Sequence, residues 1–474
     1  MERVAEDSRS RRVSQMSVQV TDARTVFLDL QQLARGTTPG DEEIVVSFRD
    51  AHGTVGRRDF ATHWIHWYPA KMFHRIPSVF LDNVELPEGA SILDPFCGSG
   101  TVLLEASIRG YNAVGIDISP LARLISRTKV TPVDPDLLEE QLTWVLPKAK
   151  RFRSKPTPHS VLDSWLSEPA RTGLHRLARA IAGLDDARAR DFFLVAMTSI
   201  VRRVSAADPS IPPLVRLRED RADSAGTRYR TALDRARSIT TSFVYSAFED
   251  AANANIRRMS ELFDMRDRLG KCWLAGADAH AAQTNLQSES IDAIITSPPY
   301  CGAQKYVRSM KLELILTGVP SSELRHLDRR TLGTEAVPRS DTELGPLMTG
   351  NHHVDDLVRT IYRANPVRAR MASDYSNYLL SFVEECRRLL RPGGHLLVTL
   401  GRSTIAGVPF PADQILHRAG SAIGLQSVAT LVDRIPSRGL LTRRHATAGR
   451  IDHEFIVWLR RPGEANDGAC TSCR

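Results

Sequence analysis

Ser297-Pro-Pro-Tyr300 is the stretch whose residue types could do chemistry. Each proline fixes its own φ and restricts the residue before it, so the chain here is a stiff corner. A serine hydroxyl, a proline carbonyl and an aromatic ring held together offer hydrogen-bond acceptors and a flat stacking face. That set suits a planar ring bearing an amino group. The run leading into it, Ile291-Asp-Ala-Ile-Ile-Thr296, is short, apolar and Ile-rich, which predicts a buried parallel strand. Pro298 and Pro299 cannot donate to a ladder, so the strand must stop at Ser297. The corner then projects its groups, Tyr300 included, beyond the carboxyl edge of a sheet, where open α/β folds bind ligands.

A second stretch, Ser91 to Gly110, reads as strand, glycine turn, helix and glycine stop, and Asn112-Ala-Val-Gly-Ile-Asp-Ile118 follows as another strand ending in an acid. Gly98 and Gly100 let the backbone turn sharply and let a ligand lie against it. The helix from Thr101 presents free amides at its start. Asp117 can accept hydrogen bonds from both ribose hydroxyls of a nucleoside. A dinucleotide fingerprint would need a third glycine where Val102 and Leu103 stand. Asp94 would repel a pyrophosphate but could accept from an ammonium group. These features point away from NAD and toward the amino-acid end of S-adenosylmethionine.

Asp94-Pro-Phe-Cys-Gly-Ser-Gly-Thr101 together with Thr296-Ser-Pro-Pro-Tyr300 resembles the paired signature motifs of the DNA methyltransferases that modify exocyclic amino groups, the cytosine-N4 and adenine-N6 enzymes. Tyr68-Pro-Ala-Lys71 is similar to the segment that precedes the glycine motif there and covers the methionine end of the cofactor. The resemblance spans about 60 to 130 and 270 to 460 and omits the insert between them. It implies a Rossmann-like class I α/β sheet with an inserted helical subdomain. It also implies S-adenosylmethionine held by Tyr68, Lys71, Asp94, Phe96, Gly98, Ser99, Gly100, Thr101, Asp117 and Asp278, the last on the adenine amino group. Ser297, Pro298, Pro299 and Tyr300 would be catalytic and DNA the substrate, with room for a restriction or defence-system partner.

An exocyclic amine is a poor nucleophile because its lone pair is delocalised into the ring. Ser297 and the Pro298 carbonyl accepting its two protons would draw the nitrogen toward tetrahedral geometry, with Tyr300 stacked on the everted base. Positioning then supplies much of the rate, and no strong base is demanded. A route through carbon 5 of cytosine needs a thiolate beside the base, whereas Cys97 falls in the glycine turn and Cys301 lacks the Pro-Cys arrangement. A serine before the prolines favours cytosine N4, with adenine N6 the alternative. The tRNA guanosine-N2 enzymes usually carry Asp or Asn there and an N-terminal RNA-binding domain; Ser297 and the short region before residue 60 argue against them. A non-catalytic nucleic-acid-binding module is countered by the intact Asp94, Gly98, Gly100, Asp117, Ser297 and Tyr300.

The elements that must position these groups follow from the rest of the chain. Residues 41–130 and 271–462 read as the methyltransferase domain and 131–270 as a helical insert, either a solvated charged face or a DNA-recognition region. Residues 1–40 read as a mobile segment and 463–474 as a disordered tail, where Cys470 and Cys473 have CxxC spacing without a second ligand pair. His63-Trp-Ile-His-Trp-Tyr-Pro-Ala-Lys-Met72 reads equally as an aromatic cap over the sheet edge or as a flap over the cofactor. Strands are expected at 43–48, 271–278, 395–400, 427–432 and 454–459, helices at 73–84, 305–318 and 378–390, and a loop that closes over substrate at 320–372. The 474 residues, 42% hydrophobic and 25% charged, suit a globular chain, and the net charge of +8 favours a polyanionic partner. Scattered cysteines make no disulfide framework. With no secretory h-region or membrane-spanning run, no membrane association and a cytoplasmic location are expected.

Overall fold

The computed structural model describes residues 43–48, 60–209, 214–222, 226–278, 286–302, 305–335, 345, 348–435 and 451–463. Expectations for the first forty residues and for the CxxC tail fall outside these. An eight-stranded sheet runs in the order β1 (Glu43–Val46), β9 (Gln426–Arg434), β10 (His453–Arg460), β6 (Leu390–Leu400), β5 (Ile291–Thr296), β2 (Ser91–Asp94), β3 (Asn112–Ile116), β4 (Cys272–Gly276). From β6 to β4 all neighbours are parallel, while β10 is antiparallel to both β6 and β9. This is a Rossmann-like α/β sheet. Chain order reverses at β2, which lies between β5 and β3, so the crevice for a ligand opens beyond the carboxyl ends of these strands.

Both faces of the sheet are covered, which is why β5 reads as a continuous apolar run and is buried along its whole length. On one face Ile92, Ala293, Ile295 and Trp458 pack with Val79 and Phe80 of α1 (Arg75–Asn83) and Val102 and Leu103 of α2 (Thr101–Ser107). On the other, Leu93, Ile294 and Val398 meet α13 (His352–Ala364), α14 (Pro366–Leu389) and α15 (Ala412–Ala422).

After α3 (Pro120–Val130) come α4 (Pro135–Arg151), α5 (Ser160–Trp165), α6 (Glu168–Ala182), α7 (Ala187–Ser199), α8 (Gly226–Arg237) and α9 (Thr241–Phe263). The apolar faces of α4, α6, α7 and α9 share one cluster with Ala61, Ile65 and Tyr68, with Leu121 and Ile125 of α3, and with Val307, Met310 and Leu314. The helices between β3 and β4 are therefore packed onto the flank of the sheet rather than hung from it. The stretch from Tyr229 to Phe263 is two helices, because Thr240 leaves the helix and caps the amide of Phe243. Residues 305–318 likewise divide at Met310 into α10 (Tyr306–Ser309) and α11 (Lys311–Leu316).

The loop expected over 320–372 is corrected. It holds α12 (Glu323–Arg330), all of α13 and the first turns of α14. Val354, Val358 and Ile361 form a single buried stripe on α13, which the surrounding charges obscure in the sequence. Asn351 and Asn365 cap the two helices, and Pro366 starts α14. A small hairpin of β7 (Ser403–Ile405) and β8 (Val408–Phe410) was not expected either; it is too short to carry a two-residue period.

Candidate active site

The glycine turn and the proline corner are adjacent because their strands are. Ile92 pairs with Ala293 and Leu93 with Ile294, and at the strand ends Thr296 Oγ1 donates to Asp94 Oδ1 at 2.6 Å. The same oxygen accepts from the amide of Phe96 at 3.1 Å. The turn is tied to the next strand by the amide of Cys97 on the carbonyl of Ile116, 2.9 Å. The amides of Gly98 and Ser119 donate to the two oxygens of Asp117 at 2.9 and 2.8 Å. Gly98 and Gly100 have φ of +49° and +76°, and a Cβ on Gly100 would lie 2.8 Å from Cβ of Ser126 on α3. Glycine is required there both by the backbone and by the closeness of the helices.

Around these ends lies a cavity of about 690 Å³. Tyr68, Lys71, Asp94, Phe96, Gly98, Ser99, Thr101, Asp117, Asp278, Ser297 and Pro299 all line it. Gly100, Pro298 and Tyr300 do not. Gly100 faces Ser126, and Pro298 is buried behind the corner. Tyr300 corrects the expectation that its ring projects into the ligand space. Gly401, just past β6, leaves a slot that the ring occupies, with its edge 2.8 Å from where a Gly401 Cβ would stand, and the hydroxyl donates to Glu454 at 3.2 Å. Asp278 is on the wall but its carboxylate accepts from Arg330 of α12 at 2.9 Å.

One wall was missing from the sequence reading. Asp374, Tyr375, Asn377, Tyr378 and Ser381 of α14 face the cavity, with Tyr306 and Met310 nearby. The Phe96 ring lies 5.8 Å from that of Tyr378 and 5.7 Å from that of Phe382. The signal was present as positions 374, 377, 378 and 381, a partly polar stripe at helical spacing beside the apolar one.

Burial raises Asp94 to about 7, against the bonds from Thr296 and Phe96 that hold it down, and raises Asp117 to about 6. Burial also lowers Lys71 to about 8. A cation placed beside Asp94 would favour its ionised form. Cys97, by contrast, is buried and its thiol is pushed well up, as is that of Cys301, so neither supplies a thiolate at neutral pH.

The aromatic segment before the turn divides between its two readings. His63 Nε2 meets Glu105 of α2 at 2.7 Å, and His66 Nδ1 bonds the carbonyl of Trp67; both rings are buried and away from the cavity. Tyr68 to Met72 line the cavity. The first half is a cap and the second half is wall.

Sheet order, glycine turn and buried acids make up a Rossmann-like fold with a ligand crevice at the strand ends. The family described as RMKL-like, methyltransferase domain, matches residues 64–129. Type II methyltransferase M.MvaI of Kocuria varians is 20% identical over 404 residues, covering 81% of this chain and 87% of that protein. Type II methyltransferase M.BsoBI of Geobacillus stearothermophilus is 21% identical over 413 residues, 77% and 79% of the two chains. A tRNA (guanine(10)-N2)-dimethyltransferase of Methanocaldococcus jannaschii is 30% identical, but over 90 residues, 19% of this chain and 24% of that one. The chain is thus similar to a methyltransferase domain over residues 64–129 and, over most of its length, to Type II methyltransferases. Among the described residues no helix is long and apolar enough to cross a membrane.

Proposed function

We propose that the chain transfers a methyl group from S-adenosylmethionine to the exocyclic amino nitrogen of a base in DNA, with cytosine N4 the favoured acceptor and adenine N6 the runner-up. The observation that carries this reading is the Thr296–Asp94 hydrogen bond, which fastens the acceptor-rich corner to the glycine turn at one edge of one cavity. The extended likeness to two Type II methyltransferases supports DNA over RNA, since the tRNA enzyme matches a short span only.

The residues present fit the cofactor. Gly98 leaves room for a ligand against the backbone, Asp94 can take an ammonium, and Asp117 keeps lone pairs for ribose hydroxyls beside its two amide bonds. Asp278 stands on the wall for an adenine amino group, and Lys71 and Tyr68 close the methionine end. When bound, the cofactor supplies an electrophilic methyl on a sulfonium sulfur. Ser297, on the cavity wall, accepts from the target amine and localises its lone pair. Rigid placement by the two prolines keeps this acceptor oriented without reorganisation. Tyr300, seated over Gly401 with its hydroxyl on Glu454, lies outside the cavity and braces the corner that carries the acceptors.

The site holds no demand for a strong base, because the amine proton can leave after transfer. Incubating the chain with a radiolabelled methyl donor and either duplex DNA or tRNA tests the reading. Label in DNA and not in tRNA is expected; label confined to tRNA overturns it.

A further inference from the structure

Two tryptophans stand outside the chemistry described so far. Trp64 and Trp67 stand among the buried His63, Ile65, His66 and Tyr68, yet they are 45% and 39% exposed. Single exposed aromatics are common, Trp144 and Trp273 among them; these two differ in sitting on a pinned segment beside the cavity wall. Each carries a cation on its face. Lys71 Nζ lies 4.4 Å from the centre of the Trp64 ring, and the Arg202 guanidinium 4.9 Å from that of Trp67.

The segment is pinned on three sides. The amide of Ala61 donates to Glu261 at 2.7 Å, and Asn255, also of α9, donates to the carbonyl of Ile65 at 2.9 Å. Thr62 Oγ1 donates to the carbonyl of Lys129 on α3 at 2.6 Å, and His63 meets Glu105 on α2. Lys71 Nζ donates to the carbonyl of His63 at 2.7 Å, which folds the cavity-lining Tyr68–Lys71 strip back onto the same frame. The tryptophans are thus presented on a fixed platform where the helical insert, the sheet and the cavity wall join.

We infer that Trp64 and Trp67, with Lys71 and Arg202 over them, form a contact surface for the DNA strand beside the everted base. The surface presupposes DNA as the methyl acceptor. Rings stack on bases that eversion has unpaired, and such stacking is tolerant of sequence. Charge complementarity favours this occupant, since the chain carries a net charge of +8 and the platform has a cation over each ring.

The test uses the full chain with Trp64→Ala, Trp67→Ala and the double substitution. Fluorescence anisotropy measures affinity for a labelled single-stranded DNA of mixed sequence, whose bases are already unpaired, and calorimetry measures affinity for S-adenosylmethionine. Each single variant should bind DNA about tenfold more weakly, the loss of one stacked base, with cofactor affinity unchanged. Unchanged DNA binding by the double variant overturns the inference. So does an equal loss of cofactor affinity, which would make the rings braces for Tyr68–Lys71. Should the variants fail to fold, hydroxyl-radical oxidation of the unaltered chain, mapped by mass spectrometry, decides: DNA should shield Trp64 and Trp67 and leave the exposed Trp273 of β4 as reactive as before, and equal reactivity at all three overturns it. Failure of the unaltered chain to methylate DNA at all would instead sink the proposed function.

Discussion

Asp94 answers to two neighbours at once, the glycine turn through Phe96 and the proline corner through Thr296. Its carboxyl sits at about 7 in the folded chain. A cationic ligand requires it ionised, so below that value binding must first expel a proton, and affinity falls as pH falls. Binding of S-adenosylmethionine should be about tenfold weaker at pH 6 than at pH 8. Thr296→Val removes a bond that favours the ionised form and should move this dependence to higher pH; calorimetry across the range checks both, and a flat profile would deny Asp94 its place at the cofactor. Ser297 belongs to the other half of the site. Ser297→Ala should cut single-turnover methylation by about a hundredfold or more while leaving cofactor affinity intact. Most of these residues were legible in the sequence because their types are chemically restrictive: glycine suits the positive φ at Gly98 and Gly100 and the close helix at Gly100, and proline stiffens the corner. The direction of the Tyr300 ring was not legible, since it depends on the slot left by Gly401, one hundred residues away in the chain.

At the scale of elements, that slot makes a separate prediction. A Cβ on Gly401 would stand 2.8 Å from the Tyr300 ring, with Ile451 at 3.0 Å on its other flank. Gly401→Ala should displace the ring and lower methylation at least tenfold, with cofactor affinity kept and a stability loss of about 1–3 kcal/mol; thermal unfolding and single-turnover assays read the two effects. Full activity in this variant would deny Tyr300 its part in bracing the corner. The strands were legible because both faces of the sheet are buried, leaving short apolar runs bounded by glycine, proline or acid. The wall supplied by α14 was only half legible. Its apolar stripe stood out from Tyr378 onward, whereas the turns before it, and all of α13, lie in Arg- and Asp-rich sequence where one buried stripe is outnumbered by solvated charge.

At the scale of the molecule, the sheet order places the chain reversal between β2 and β5, and that single topological fact brings together motifs about two hundred residues apart. The helices between β3 and β4 do not separate them, because they pack to one flank and share a core with the turn-bearing segment. Sequence pattern could announce those helices but not where they dock, which is set by contacts such as Asn255 to Ile65. A basic molecule acting on a polyanion should also show it in salt. DNA affinity should fall steeply and log-linearly with salt concentration, while cofactor affinity changes little; a salt-independent DNA affinity would contradict a phosphate-contacting surface. The most direct measurement is mass spectrometry of nucleosides released from DNA after incubation with isotopically labelled S-adenosylmethionine. Labelled N4-methylcytosine is the predicted product, and labelled N6-methyladenine would select the runner-up base within the same chemistry. Labelled 5-methylcytosine, or no methylated base from an active preparation, would contradict an acceptor corner built for an exocyclic amine.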